Sequence, residues 1–288
     1  YGSNTVSAYS INGTTGSLTP VAGSPFATGI NPRCITVDPS GRFAYVANSG
    51  GSQFDSASIS AYTINSSTGS LTPVANSPYT MTGLVVLTSV SVDPSGRFAY
   101  VTDAGQGTVL GYAINPTTGA LTAMAGSPFA TGNGLPPDSV VVDPSGRFVY
   151  VSGSNIVSAY TIDSRTGVLT AIVGSPWATG GLIPSTVTVD PTGRFAYVAN
   201  GRGGFVSTYT INGTTGALTA SSPFANGVAD SVAVDPNGRF AYVAGTGLST
   251  VSTYAINSTT GALTVAGTFV DLPPVSGVGS IVISGVLQ

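Results

Sequence analysis

Two phrases alternate along this chain, and their spacing constrains the fold more tightly than any other feature. The first, Val6-Ser-Ala-Tyr-Ser-Ile-Asn-Gly-Thr-Thr-Gly-Ser-Leu-Thr19, returns with its tyrosine at Tyr62, Tyr112, Tyr160, Tyr209 and Tyr254. The second, Val37-Asp-Pro-Ser-Gly-Arg-Phe-Ala-Tyr-Val46, carries its aspartate at Asp38, Asp93, Asp143, Asp190 and Asp235, in steps of 55, 50, 47 and 45 residues. A period of about 50 residues, built from short alternating apolar runs and Gly-rich turns, predicts an all-β fold. It is a β-propeller with one four-stranded antiparallel blade per repeat. Residues 1–288 read as a single propeller domain.

Each blade can be read strand by strand. In Cys34-Ile-Thr-Val-Asp38 the apolar positions alternate, as in a strand with one face in a core; this is strand A. Asp38-Pro-Ser-Gly41 turns the chain. The proline presets φ, the aspartate caps the turn with its carboxylate, and the glycine supplies a positive φ. Arg42-Phe-Ala-Tyr-Val46 returns as strand B. Val6 to Ile11 is a strand C, and strand D begins at Leu18 and runs into Gly-Ser-Pro-Phe-Ala-Thr-Gly, whose proline suits an outer edge. Four residues before the turn aspartate strand A carries small side chains, from Cys34 and Ser89 to Ser231 and Ser280, as an innermost strand requires. The tyrosines of strands B and C lie further out, where diverging blades need bulk.

Composition narrows the chemistry. There is no histidine, and the 8 cations and 11 acids are all arginine and aspartate. The one side chain that ordinarily titrates near neutrality is missing, so Ser-His-Asp and Cys-His devices cannot be built. Histidine-ligated zinc and non-haem iron are excluded as well, and no cofactor or metal is expected. A net charge of −3 with 7% charged residues supplies no basic patch for nucleic acid. No apolar run approaches the roughly 20 residues of a membrane helix. The single cysteine, Cys34, cannot form an internal disulfide. A lysine-free surface rich in Ser, Thr, Gly and Asn fits an extracellular or cell-surface protein.

The repeats number six C–D units and six A strands, the last at Ser280 to Ser284, but five complete B strands. Six blades are favoured, with seven as the alternative. The C-terminal strand A is expected to close the ring by joining the blade that holds Val6 to Ile11. The chain opens at Tyr1 rather than methionine, and the sixth strand B is expected before it. A neighbouring chain could also donate that strand, joining copies by strand addition.

Asn31-Pro-Arg-Cys-Ile-Thr-Val-Asp-Pro-Ser-Gly-Arg-Phe-Ala-Tyr-Val-Ala-Asn48, with Val6-Ser-Ala-Tyr-Ser-Ile and Thr15-Gly-Ser-Leu-Thr19, resembles the lactonase-type β-propellers. That group includes the 6-phosphogluconolactonase-like and YVTN-repeat proteins. The resemblance covers essentially the whole chain. It implies the propeller fold and, in enzymatic members, histidine, arginine and glutamate at the channel mouth. Pro32-Arg33 matches a Pro-Arg-His stretch at the start of strand A, with Cys34 in the histidine's place. Ser49 stands where an acid follows the strand-B asparagine, Asn48. From that set Arg33 carries over, as an anion-binding group.

Comparing repeats separates scaffold from candidate site. The Asp-Pro-Ser-Gly-Arg turns and the Asn-x-x-Thr-Gly loops barely change, while the D–A and B–C loops vary strongly. Uniform loops serve the scaffold, and divergent loops on one rim are where binding resides. Five residues before the turn aspartate, at the channel mouth, stand Arg33, Thr88, Asp138, Ser185, Asp230 and Gly279. Arg33, Asp138 and Asp230 fall in alternate blades and form the leading ligand-binding candidates. Asp55, Asp103 and Arg202 on the variable loops join them, and Asp271 is a further rim acid. Asn12, Asn65, Asn212 and Asn257 open Asn-x-Ser/Thr sequons in the C–D loops, where turn chemistry accounts for them. These readings favour a non-catalytic scaffold that meets a protein or surface partner, with no catalytic residue assigned. The alternative is a divergent lactonase or Asp-based hydrolase with its site at the variable-loop mouth.

Overall fold

A computed structural model of the chain describes residues 3–51, 57–83, 85–132, 134–221, 223–225, 229–245, 250–267 and 270–271. The predicted closing strand, Ser280 to Ser284, and the rim acid Asp55 lie outside the described residues. Every element among those described is a β-strand. The chain divides into two compact units, Tyr1–Ala130 with Arg165–Val168, and Thr131–Ser164 with Leu169–Gln288.

The second repeat shows how a blade of the first unit is built. Strand A (Pro32–Val37), strand B (Phe43–Asn48), strand C (Ser58–Ile64) and strand D (Leu71–Pro73) pair antiparallel in that order. Sequence reading takes strand D as continuous. It is broken, and a short piece, Tyr79–Thr80, re-pairs with the start of strand C. The serine before the proline bridges the break: Ala61 N–H donates to Ser77 Oγ at 2.9 Å, and Ser77 N–H donates to the Val74 carbonyl at 3.0 Å. Thus the strand-C amide that the break would orphan is satisfied. The third repeat follows the same plan, and the first contributes two short two-stranded sheets. One apolar cluster joins Phe43, Tyr45 and Ile59 to Tyr112, Ile114 and Leu121.

The second unit holds three sheets of the same order. Its cores repeat the pattern: Phe148 and Tyr150 pack with Tyr209, Ile211 and Leu218, and Phe195 and Tyr197 with Tyr254 and Leu263. The strand-B tyrosines are thus inter-blade core, as their spacing predicts. Tyr150 and Tyr197 are fully buried and donate to the carbonyls of Gly216 and Gly261, each at 2.9 Å.

The A–B turns rest on the aspartate. Asp38 Oδ1 accepts the Arg42 and Phe43 amides at 2.8 and 2.7 Å, and Oδ2 accepts the Ser40 amide and hydroxyl. Burial pushes the Asp38 carboxyl up, but these donors outweigh it and hold the group below its ordinary range. In the C–D loops each sequon asparagine is a turn former: Asn212 Oδ1 accepts the Thr214 and Thr215 amides, both at 3.0 Å. No helix among the described residues is long and apolar enough to cross a membrane.

Candidate active site

The mouth position lies where strand A leaves its regular ladder. Pro32 pairs with Asn48 and Cys34 with Ala47, so Arg33 is the extra residue of a β-bulge. Ser185 is likewise extra between Pro184 and Thr186. Bulges re-aim side chains, and they recur beside functional sites. In the fourth and sixth repeats the ladder starts at Ser139 and Ser231. The preceding aspartates are held by their backbones: Asp138 N–H donates to the Ser152 carbonyl and Asp230 N–H to the Ala244 carbonyl, each at 2.8 Å.

In the first unit Arg33 is exposed, and its Nε lies 3.4 Å from Ser49 Oγ, the residue in the resemblance's acid position. Cys34 packs as a small strand-A residue, with Sγ 3.8 Å from the Val90 carbonyl. Asp103 holds a turn. It is almost wholly buried, and its Oδ1 accepts amides from Val86 at 3.0 Å, Gly105 at 2.9 Å and Gln106 at 3.3 Å. Burial raises its pKa, and those three donors oppose the rise.

In the second unit Asp138 is half-buried, and its carboxylate accepts no hydrogen bond among the described residues. Burial alone pushes its pKa from the ordinary carboxylate range up to about 6. Asp230 is also half-buried. Its Oδ1 lies 2.8 Å from where a Cβ on Gly201 would stand, and its carbonyl accepts Ser185 Oγ at 2.6 Å. The structure therefore gathers Asp230, Ser185 and the turn carrying exposed Arg202. No hydrogen bond or ion pair joins Asp138 to Asp230.

Beside Asp138 lies a feature that sequence reading misses. A small open pocket of about 150 Å³ is bounded by Pro137, Ser152, Gly153, Ile156 and Ser158. The signal was present in the repeats: Gly153 takes the strand-B position that asparagine holds at Asn48 and Asn200.

A family model described as "Lactonase, 7-bladed beta-propeller" matches residues 1–88 and 136–230. Its blade number is the alternative that the repeat count held open. No curated protein matches the chain by sequence. Among solved structures, the periplasmic gluconolactonase of Pseudomonas aeruginosa is similar, with TM-score 0.78 and 20% identity, over 92% of this chain and 77% of that one. A protein of Bacteroides uniformis described as a candidate 6-phosphogluconolactonase gives TM-score 0.65 and 16% identity, over 94% and 93% of the two chains. A Lactobacillus plantarum protein gives 0.74 and 20%, over 94% and 80%. At these identities the likeness concerns the fold.

The family match overturns the expectation of a non-catalytic scaffold. That expectation rested on the missing histidine and glutamate. Their absence removes two residue types from the choice of proton acceptor but leaves a desolvated aspartate able to serve near neutral pH.

Proposed function

This chain belongs to the lactonase family of seven-bladed β-propellers, and from that premise we propose that it hydrolyses a sugar lactone, with Asp138 moving the proton. The observation that carries this reading is the state of Asp138, a half-buried carboxyl without a donor whose pKa is lifted to about 6. Such a group is ionised at neutral pH yet poorly solvated, which suits a general base working near its own pKa.

The reaction balances with this chain's own side chain. Water attacks the lactone carbonyl carbon, and Asp138 takes the water's proton. As the ring C–O bond breaks, the departing oxygen receives that proton from Asp138, leaving an open hydroxy acid. Sugar lactones are the substrate class named for the Pseudomonas and Bacteroides proteins. An extracytoplasmic location accompanies the proposal, supported by the periplasmic neighbour and the lysine-free composition.

The test is hydrolysis of glucono-δ-lactone, corrected for spontaneous opening. Asp138→Asn is expected to lower kcat by at least about 100-fold, the usual worth of a positioned base, with an unchanged circular dichroism spectrum. Asp230→Asn serves as the comparison. Full turnover by Asp138→Asn would falsify the assignment, and a wild-type protein inert toward all sugar lactones would remove the activity itself.

A further inference from the structure

Strand B ends on asparagine in the second and fifth repeats, and both side chains are fully buried. Asn48 Nδ2 donates to the Ser58 carbonyl at 3.1 Å and to Ser60 Oγ at 2.9 Å. Asn200 Nδ2 donates to the Phe205 carbonyl at 3.2 Å and to Ser207 Oγ at 2.8 Å. The carboxamide thus fills the space between strands B and C. In the fourth repeat Gly153 removes it. The glycine is required, because a Cβ would stand 2.3 Å from the Pro136 carbonyl oxygen. The volume vacated between Gly153, Ile156 and Ser158 is the pocket described above.

Its polar wall is incompletely satisfied. Ser158 Oγ donates to the Thr131 carbonyl at 2.8 Å, which leaves the lone pairs that accept an amide in the other two repeats. Ser152 is fully buried, and its Oγ has no partner. A buried hydroxyl without a partner marks a place where another polar group belongs. Val151, Ile156 and Pro137 supply the apolar remainder of the wall, and Pro137 immediately precedes Asp138.

We propose that this pocket is a subsite for the exocyclic hydroxymethyl group of an unphosphorylated sugar lactone; the proposal rests on the lactonase reading. The CH₂ packs on Val151 and Ile156. The hydroxyl accepts from Ser152 and donates to Ser158. No cation lines the pocket, so a phosphate ester placed there would bury its charge unpaired. The pocket thereby selects sugar lactones over their 6-phosphates.

Two variants test this without endangering the fold, because the other repeats already use them: Ala47, Ala199 and Ala244 occupy the position of Ser152, and so does Thr102. Wild type should prefer glucono-δ-lactone to its 6-deoxy analogue by about tenfold in kcat/KM, the worth of one hydrogen bond. It should disfavour the 6-phosphate more strongly. In Ser152→Ala the preference over the 6-deoxy analogue should shrink to within about twofold. An undiminished preference in that variant overturns the subsite. A binding arm separates the two readings. Gluconate should shift the Val151 and Ile156 methyl resonances in wild type and leave them in place in Ser152→Thr, whose added methyl occupies the pocket. If those shifts occur while no lactone is turned over, the lactonase reading fails and the subsite stands. If gluconate leaves the wild-type signals unmoved, or a crystal grown with it holds only water there, the subsite falls whatever the turnover.

Discussion

A carboxylate ringed by donors and a carboxylate without any titrate in opposite directions, and this chain holds both. Asp38 is held below its ordinary range by Ser40, Arg42 and Phe43 acting against burial, so it adds stability above the unfolded value near 4 that is lost as pH falls through its folded pKa. Asp138 is lifted to about 6 by burial. Its folded state holds a proton that the unfolded chain releases, so its contribution to stability falls as pH rises from about 4 to about 6. Asp138→Asn abolishes that loss. The variant should be more stable than wild type at pH 7 by about 1–2 kcal/mol, allowing for solvent screening of a half-buried group, and the difference should vanish near pH 4. Melting curves across this range decide it; a variant less stable than wild type at pH 7 would mean that the carboxylate has a donor. The two aspartates also differ in legibility. Asp38 could be read because its turn chemistry is local and repeated. The position of Asp138 could be read from its register, but its burial could not, because that depends on how loop 131–137 folds over it.

Between elements, each Arg-Phe-x-Tyr strand docks on the C–D loop of the next repeat. In the second unit Tyr150 OH donates to the Gly216 carbonyl at 2.9 Å, the Arg147 guanidinium lies 4.8 Å from the Phe148 ring centroid, and Arg147 donates to the Gly213 carbonyl. Gly216 has φ +73, and a Cβ there would stand 2.5 Å from Phe148 Cδ1. Gly216→Ala therefore meets both a left-handed backbone and a packed ring, and should cost about 2–4 kcal/mol. Tyr150→Phe, which removes one buried bond and adds no bulk, should cost about 1 kcal/mol. Urea unfolding measures both, and equal losses would show that the ring contact is slack. Strand identities and the tyrosine core were legible because period-2 alternation and repetition report which face is buried. The broken strand D was not, because the break depends on Ser77 Oγ capping a strand-C amide 16 residues away.

At the scale of the whole molecule, composition sets the pH behaviour of any reaction the chain performs. With no histidine, lysine or glutamate, its titratable side chains cluster near 4, as aspartate, and at about 8.5 and above, as cysteine and tyrosine. A group active between those ranges must be displaced into the gap by its surroundings. Asp103 is displaced upward but held by three backbone amides; Asp138 reaches about 6 with its oxygens unclaimed. The absence of histidine was plain in the sequence, and read alone it argued against catalysis. Only packing shows that an aspartate can take the role. Lactone hydrolysis, corrected for the spontaneous reaction, should accordingly rise with pH in one single-proton step centred at about 6, because the base works only when ionised, and then stay level to about pH 8. Residual activity in Asp138→Asn should lack that step. A midpoint near 4, a rise involving two protons, or the same step retained in the variant would remove Asp138 from the mechanism.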